Sequence, residues 1–182
     1  MLVRIIPVGN VNPKVIESVV GALHSELGLR SRILLAMPIP RETFNQWRKQ
    51  YNAEQILSIL TKKSAGAFID KELPTLFITD ADIYYDKLNY VFGLEDPTTA
   101  ASIVSIARLR SEFYDQAPNL YTLCERTAKE AVHEIGHHIG FDHCQHVFCV
   151  MSFSPSVGHV DDKRIEFCSS CKIKASMKGI EI

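Results

Sequence analysis

The chain of 182 residues is 46% hydrophobic and 23% charged, the makeup of a globular protein with one sizeable core, so one domain over residues 1–182 is expected. A formal net charge of −1, with Lys and Arg scattered rather than blocked, excludes an electrostatic case for nucleic acid or for an anionic membrane. No segment reaches the roughly 18 uncharged apolar residues of a membrane span, and "MLVRIIPVGNVNPK" lacks the layout of a signal peptide, so a cytoplasmic protein, monomeric by default, is expected.

"LVRIIPV" (2–8) is short, branched and apolar, as a strand would be. Asn12 and Pro13 read as an N-cap and first turn, and Val15, Val19, Val20, Leu23 and Leu27 recur at helical spacing until Gly28. "SRILLAMPI" (31–39) predicts a second, buried strand, and the order strand, helix, strand predicts a parallel βαβ unit. The polar stretch from Arg41 to Asn52 is expected to be a loop, followed by a helix in "AEQILSILTKK". After Pro74, "TLFITDADIYY" reads as a strand entering a loop, and "NYVFGLEDPTTAASIVSIARLR" as two antiparallel strands joined at the Pro97 turn. The hairpin around residues 90–109 is the expected edge of the sheet. A long helix is predicted from an N-cap at Asn119 to Gly140, with Leu120, Leu123, Cys124, Ala128, Ala131, Ile135 and Ile139 toward the core. From there to Ile182 little regular structure is expected, and "SFSPSVG" and "CSSCK" read as loops.

The chemistry concentrates in "HEIGHHIGFDHCQHVFCVM", residues 133–151. Residues four apart on a helix share a face, so His133 and His137 can present imidazoles to one ion while Glu134 reaches a water beside it. This is the H-E-x-x-H arrangement of zinc hydrolases, in which the metal lowers the pKa of water from about 15.7 to roughly 7 and the carboxylate takes the proton. Gly140 can take the left-handed conformation that ends the helix and turns His143 back as a third ligand, which leaves a fourth position open. Met151 is suited to a turn beneath such a metal site.

The odd total of five cysteines, four of them in the last 39 residues, is a poor disulfide framework. Cys144, Cys149, Cys168 and Cys171 form C-x4-C and C-x2-C pairs close to zinc-ribbon spacing. Four thiolates make a closed, structural site, and adjacent residues on an extended backbone point opposite ways, so His143 and Cys144 can serve different ions. Cys124 reads as a small core residue, His138 as a residue behind the site or at the surface, His146 as a spare donor, and His159 as an exposed loop histidine. Asp80 and Asp82 lack the glycine and terminal Glu of a calcium loop and read as caps at a strand end.

With HEIGHHIGFDH at 133–143, Cys144 directly after it, Cys149, the "CVM" that ends in Met151, and "CSSC" at 168–171, the sequence resembles the archaemetzincins, a branch of the metzincin zinc metallopeptidases. The order of elements upstream, ending in "YVFGLEDP", resembles the family too. The resemblance implies an α/β (α+β) fold: a mixed, mostly parallel twisted sheet with an antiparallel edge strand, a long active-site helix, and a small irregular C-terminal subdomain stapled by zinc. The lobes would be residues 1–139 and 140–182. It implies two Zn2+ per chain, a catalytic one on His133, His137 and His143 and a structural one on the four cysteines, with Glu134 as general base and Met151 in the Met-turn. The implied partner is a peptide or protein substrate, added along the sheet edge. The alternatives are a non-catalytic zinc-stabilised peptide-binding module and a zinc hydrolase of a non-peptide amide. Several metzincins place a tyrosine just beyond the methionine, whereas "MSFSPSVGHV" offers only Phe153, so oxyanion stabilisation is expected from the metal and backbone N–H groups.

Overall fold

The first strand, β1 (Leu2–Val8), is the apolar run expected, and it sits inside a five-stranded sheet. The structure, a computed structural model, describes residues 1–65, 73–180 and 182. Helix α1 (Pro13–Leu27) follows, capped by the Asn12 side chain accepting from the Lys14 N–H and ended by Gly28 at φ 61°. Strand β2 (Arg30–Ile33) then runs parallel to β1, which completes the βαβ unit.

The prediction of a buried strand over residues 31–39 needs correction. β2 stops at Ile33, is largely exposed, and gives way to an irregular stretch that includes Leu35, which is 92% exposed, before Met37 bridges back to Val8. β2 is the outermost strand, so a branched apolar run here lacks the cover that an inner parallel strand receives on both faces. The polar stretch at 41–52 also differs from the expected loop: β3 (Phe44–Asn45) and β4 (Gln50–Asn52) form a small antiparallel ladder, joined in parallel by β6 (Ile83–Tyr84) into a second sheet.

Helix α2 (Ala53–Ala65) leads to β5 (Thr75–Thr79), buried throughout, and the hairpin β7 (Gly93–Asp96) and β8 (Ala101–Ser105) is antiparallel as predicted. The main sheet has the order β2-β1-β5-β8-β7, so β7 is its antiparallel edge. Alternation along the strands sorts the core. Ile5, Leu76, Ile78 and Val104 face α1 and the long helix α3 (Leu120–His138), while Ile6, Phe77 and Ile103 face α2.

Past α3 the chain is more regular than expected: α4 (Val157–Asp162) begins in "SFSPSVG" and α5 (Ser169–Met177) in "CSSCK", both read as loops. Their buried residues are Val160 on α4 and Cys171 and Ala175 on α5, too few to print a helical period in the sequence. Charged groups dock α4 on α3: Arg126 holds Asp161 at 2.6 Å, and the Lys129 ammonium donates to the carbonyls of Val160 and Asp161. Among the described residues no helix is long and apolar enough to cross a membrane.

Candidate metal centres and active-site cleft

Helix α3 begins where its sequence dictates, with the Asn119 side chain accepting the Thr122 N–H, and is followed by Gly140 at φ 91°. That turn brings His143 to His133 and His137, and one nitrogen from each ring lies within 4.8 Å of the others. His133 Nδ1 is 2.8 Å from the Val150 carbonyl and His137 Nδ1 is 2.8 Å from the Phe141 carbonyl. A carbonyl only accepts, so each Nδ1 carries the proton and each Nε2 is bare. The two Nε2 atoms nevertheless face each other at 3.1 Å. Two lone pairs at that distance repel unless a cation lies between them, and imidazole nitrogens about 2 Å from zinc suit this spacing.

Burial is the main cause that pulls the pKa of His133 well below 6.5, and the same cause lowers His137 and His143. All three rings are therefore neutral near pH 7, the form that ligates metal. Beneath them Met151 is fully buried, with its sulfur 2.4 Å from where a Cβ on Gly136 would sit, so the absence of a side chain at Gly136 makes room for it.

Glu134 is 5% exposed on the same helix face. Burial, followed by the neighbouring Glu130, raises its pKa well above 4.5, in the direction that suits a proton carrier near neutrality. Its carboxylate lies against the backbone of β7: a Cβ at Gly93 would be 2.1 Å from Glu134 Oε1. Glu134 and the three histidines line a cleft of about 510 Å3 between α3, the segment leading into β7, and residues 153–155. A hollow of about 630 Å3 beyond Leu94 and Glu95 is lined by no histidine or cysteine and is not this site.

The four thiols form the second group, also within 4.8 Å of one another. Cys144 Sγ is 3.7 Å from Cys168 Sγ, and Cys149 Sγ is 3.8 Å from Cys171 Sγ. Disulfide sulfurs sit at about 2.05 Å, whereas a tetrahedron with metal–sulfur bonds of about 2.3 Å has edges of about 3.8 Å. Backbone N–H groups of His146 and Cys168 point at the sulfurs of Cys144 and Cys149, each at 3.4 Å, as donors to thiolates do. Burial opposes ionisation of Cys168, but hydrogen bonds from the Ser170 hydroxyl and the Cys171 amide bring its pKa to about 6, while burial pushes Cys171 up. The donors of both groups fit zinc.

The remaining candidates fall outside both groups. His138 is tucked behind the helix with Nδ1 3.4 Å from Glu95 Oε1, and the exposed His146 packs on Phe148. His159, on α4, is exposed and bonds Ser156, and Cys124 Sγ reaches the Lys14 carbonyl at 3.6 Å. Asp80 lies against Gly9, and Asp82 pairs with Arg108 at 2.7 Å. Sequence reasoning missed Gly93, Tyr90, Glu130 and Lys163. Glu130 was within reach, because it stands one turn before His133 and Glu134 on the same face. Tyr90 supplies the cleft with a phenol from the side opposite to the segment after Met151, and its hydroxyl donates to the Pro155 carbonyl at 2.8 Å.

The sequence profile of peptidase family M54 matches residues 13–177, nearly the whole chain. The chain belongs to this family, the archaemetzincins. It is 38% identical to the archaemetzincin of Methanocaldococcus jannaschii over 187 residues, covering 100% of this chain and 97% of that one. It is 39% identical to the archaemetzincin of Saccharolobus solfataricus, over 96% and 92% of the two chains. Among solved structures, a zinc-dependent peptidase from Methanocorpusculum labreanum superposes with a TM-score of 0.87 at 27% identity, over 94% of this chain and 98% of that one. The archaemetzincin of Archaeoglobus fulgidus superposes with a TM-score of 0.78 at 33% identity, over 96% and 99%. Membership makes the chain a zinc metallopeptidase, an enzyme that acts on peptides or proteins.

Proposed function

We propose that the chain hydrolyses peptide bonds with His133, His137 and His143 holding a catalytic zinc, Glu134 as general base, and Cys144, Cys149, Cys168 and Cys171 holding a second, structural zinc. The observation that carries this reading is the pair of bare Nε2 atoms facing at 3.1 Å on the wall of a cleft that also holds a buried carboxylate. Bound to the imidazoles, zinc supplies the Lewis acidity that brings the pKa of water from about 15.7 toward 7 and polarises a carbonyl.

The protein's own groups do the rest. The substrate lies extended along β7, the sheet edge, and offers its backbone to the unpaired groups of that strand. Glu134, pinned between α3 and Gly93, takes the proton of the attacking water and passes it to the leaving amine, and its burial favours holding that proton between the two steps. The carbonyls of Val150 and Phe141 keep His133 and His137 in the ligating tautomer. Met151 forms the Met-turn floor, and residues 1–139 and 140–182 act as the two lobes of one catalytic domain.

Metal counting and peptide digestion test this together. Protein purified without a His-tag is expected to hold two zinc ions, one lost in His137→Ala and the other in Cys171→Ser. Glu134→Ala should keep both ions and lose at least about 10²-fold in hydrolysis of a peptide mixture. A single zinc dependent on both residues, or full activity in Glu134→Ala, would overturn the assignment.

A further inference from the structure

One pair of charges at the cleft belongs to neither donor group and has no assigned step in the reaction, although Glu130 acts on the Glu134 carboxyl beside it. Glu130 lines the cleft beside His133 and Glu134, yet is only 3% exposed. Its Oε1 lies 2.7 Å from Nζ of Lys163, the C-cap residue of α4, whose side chain is fully buried. Among the described residues neither atom has a further hydrogen-bond partner. Taking two charges out of water is costly, and apolar residues of similar volume would join α3 to the C-terminal segment at least as well. The pair makes sense where its polarity is read. Glu130 faces the cleft and Lys163 stands behind it, so the pair turns its negative end toward whatever enters.

The surroundings shape a side-chain pocket. Tyr90 and Phe92, edge to face with centroids 5.4 Å apart, form one wall, and Phe153 and Pro155 form the other. The hydrogen bond from Tyr90 to the Pro155 carbonyl ties the walls together. Ser154 lines the same cleft with a buried hydroxyl that has no partner among the described residues. An apolar collar that ends in a carboxylate acceptor and a spare hydroxyl matches a side chain with an apolar stem and an uncharged hydrogen-bonding tip. A cationic tip is the poorer match, because Lys163 already balances Glu130 and would repel it. A carboxylate tip is the poorest, since it sets acceptor against acceptor in a dry site.

We propose that Glu130, positioned by Lys163, is a specificity-determining residue of the substrate pocket beside the scissile bond, and that this pocket selects Gln or Asn side chains and rejects Asp and Glu. The inference rests on the peptidase reading above. To test it, a peptide that the protein cleaves is remade with Gln, Leu or Glu, close in volume, at each residue next to the scissile bond. At one of these positions kcat/KM should fall in the order Gln, Leu, Glu, with at least about tenfold between the extremes. The same order should appear as Kd in the zinc-loaded Glu134→Ala variant, which needs no turnover. In Glu130→Gln/Lys163→Met, which leaves no unpaired buried charge, the Gln-to-Glu ratio should drop to within about threefold. Equal use of the three peptides, a preference for Glu, or an unchanged ratio in the double variant would overturn the proposal. Should the double variant not fold, the ranking of the parent protein and of Glu134→Ala decides. Ranked binding to Glu134→Ala without any cleavage by the parent would instead defeat the peptidase reading, and with it the placement beside a scissile bond, while selection of Gln over Glu at Glu130 would stand.

Discussion

The imidazole group and the thiol group both gather their donors within 4.8 Å, yet the first opens on a cleft and the second closes on itself within the C-terminal segment. The donor count follows the surroundings. Three imidazoles leave a tetrahedral ion with a position to spare, whereas four thiolates leave none. The means of positioning differ as well. His133 and His137 are placed by one helix and by carbonyls behind their rings, a frame held by the core of α1, α3 and the sheet. The thiols are placed by two loops and the start of α5, with Cys149 and Cys171 buried against Val150, Phe167 and Ala175 at the far end of the same core. On the proposed function, the first arrangement is a tool that an ion would complete, and the second a fastening that an ion would close across the C-terminal segment.

Substitutions can separate the two. Cys171→Ser should have the largest effect, a loss of roughly 4 kcal/mol or more in a urea melt, with hydrogen exchange rising across residues 140–182. If the melt is unchanged, the thiols are ordinary core residues. Next is Gly93→Ala, whose Cβ would sit 2.1 Å from Glu134 Oε1. The same Cβ would be 2.6 Å from Cδ and 2.8 Å from Cγ, so the whole buried side chain must shift: kcat should fall about 10²-fold, and the thermal midpoint should drop as well, by less than in Cys171→Ser.

Acid offers a third test, on chelator-treated protein. Native His133, His137 and His143 resist protonation, because burial lowers each below 6.5, while the unfolded chain takes up protons from about pH 6.5 downward. Their contribution to stability is therefore full above that value and falls as pH drops toward the native pKa values; Glu134, whose raised pKa works in the opposite sense, is removed by using Glu134→Gln, in which the melting temperature should be lower at pH 5.5 than at pH 7.5. The smallest effect is expected for Asn119→Ala, about 1 kcal/mol from the lost cap on α3, read by the same melts, with both zinc ions retained.

Periodic and punctuated features were legible in the sequence. Asn12, Gly28, Asn119 and Gly140 bracket their helices because capping is local chemistry, and the hairpin at Pro97 follows from turn preference. The histidine and cysteine groups were legible because ligand geometry imposes spacing. Long-range pairings were not. Lys163 lies 33 residues after Glu130, and nothing in "DDKRIEF" says that its ammonium is buried while the neighbouring Arg164 is exposed. The strand over 31–39 was overdrawn because hydropathy does not tell an inner strand from an outer one. The small second sheet escaped notice since Phe44, Asn45, Gln50 and Tyr51 carry no apolar alternation. Its use is visible in space: Gln50 donates to the Asn89 carbonyl at 2.9 Å, and Arg48 reaches the Leu88 carbonyl, so it braces one rim of the cleft.

Val150 occupies an unusual place in the chain. Its carbonyl steadies His133, while its two neighbours are the thiol-group residue Cys149 and the floor residue Met151. A disturbance at sulfur thus needs to cross one residue to reach the tautomer of an imidazole. A thiol oxidant, or a chelator that strips only the thiol group, should then behave kinetically as a non-competitive inhibitor: turnover declines, the apparent affinity for peptide stays, and excess substrate gives no protection.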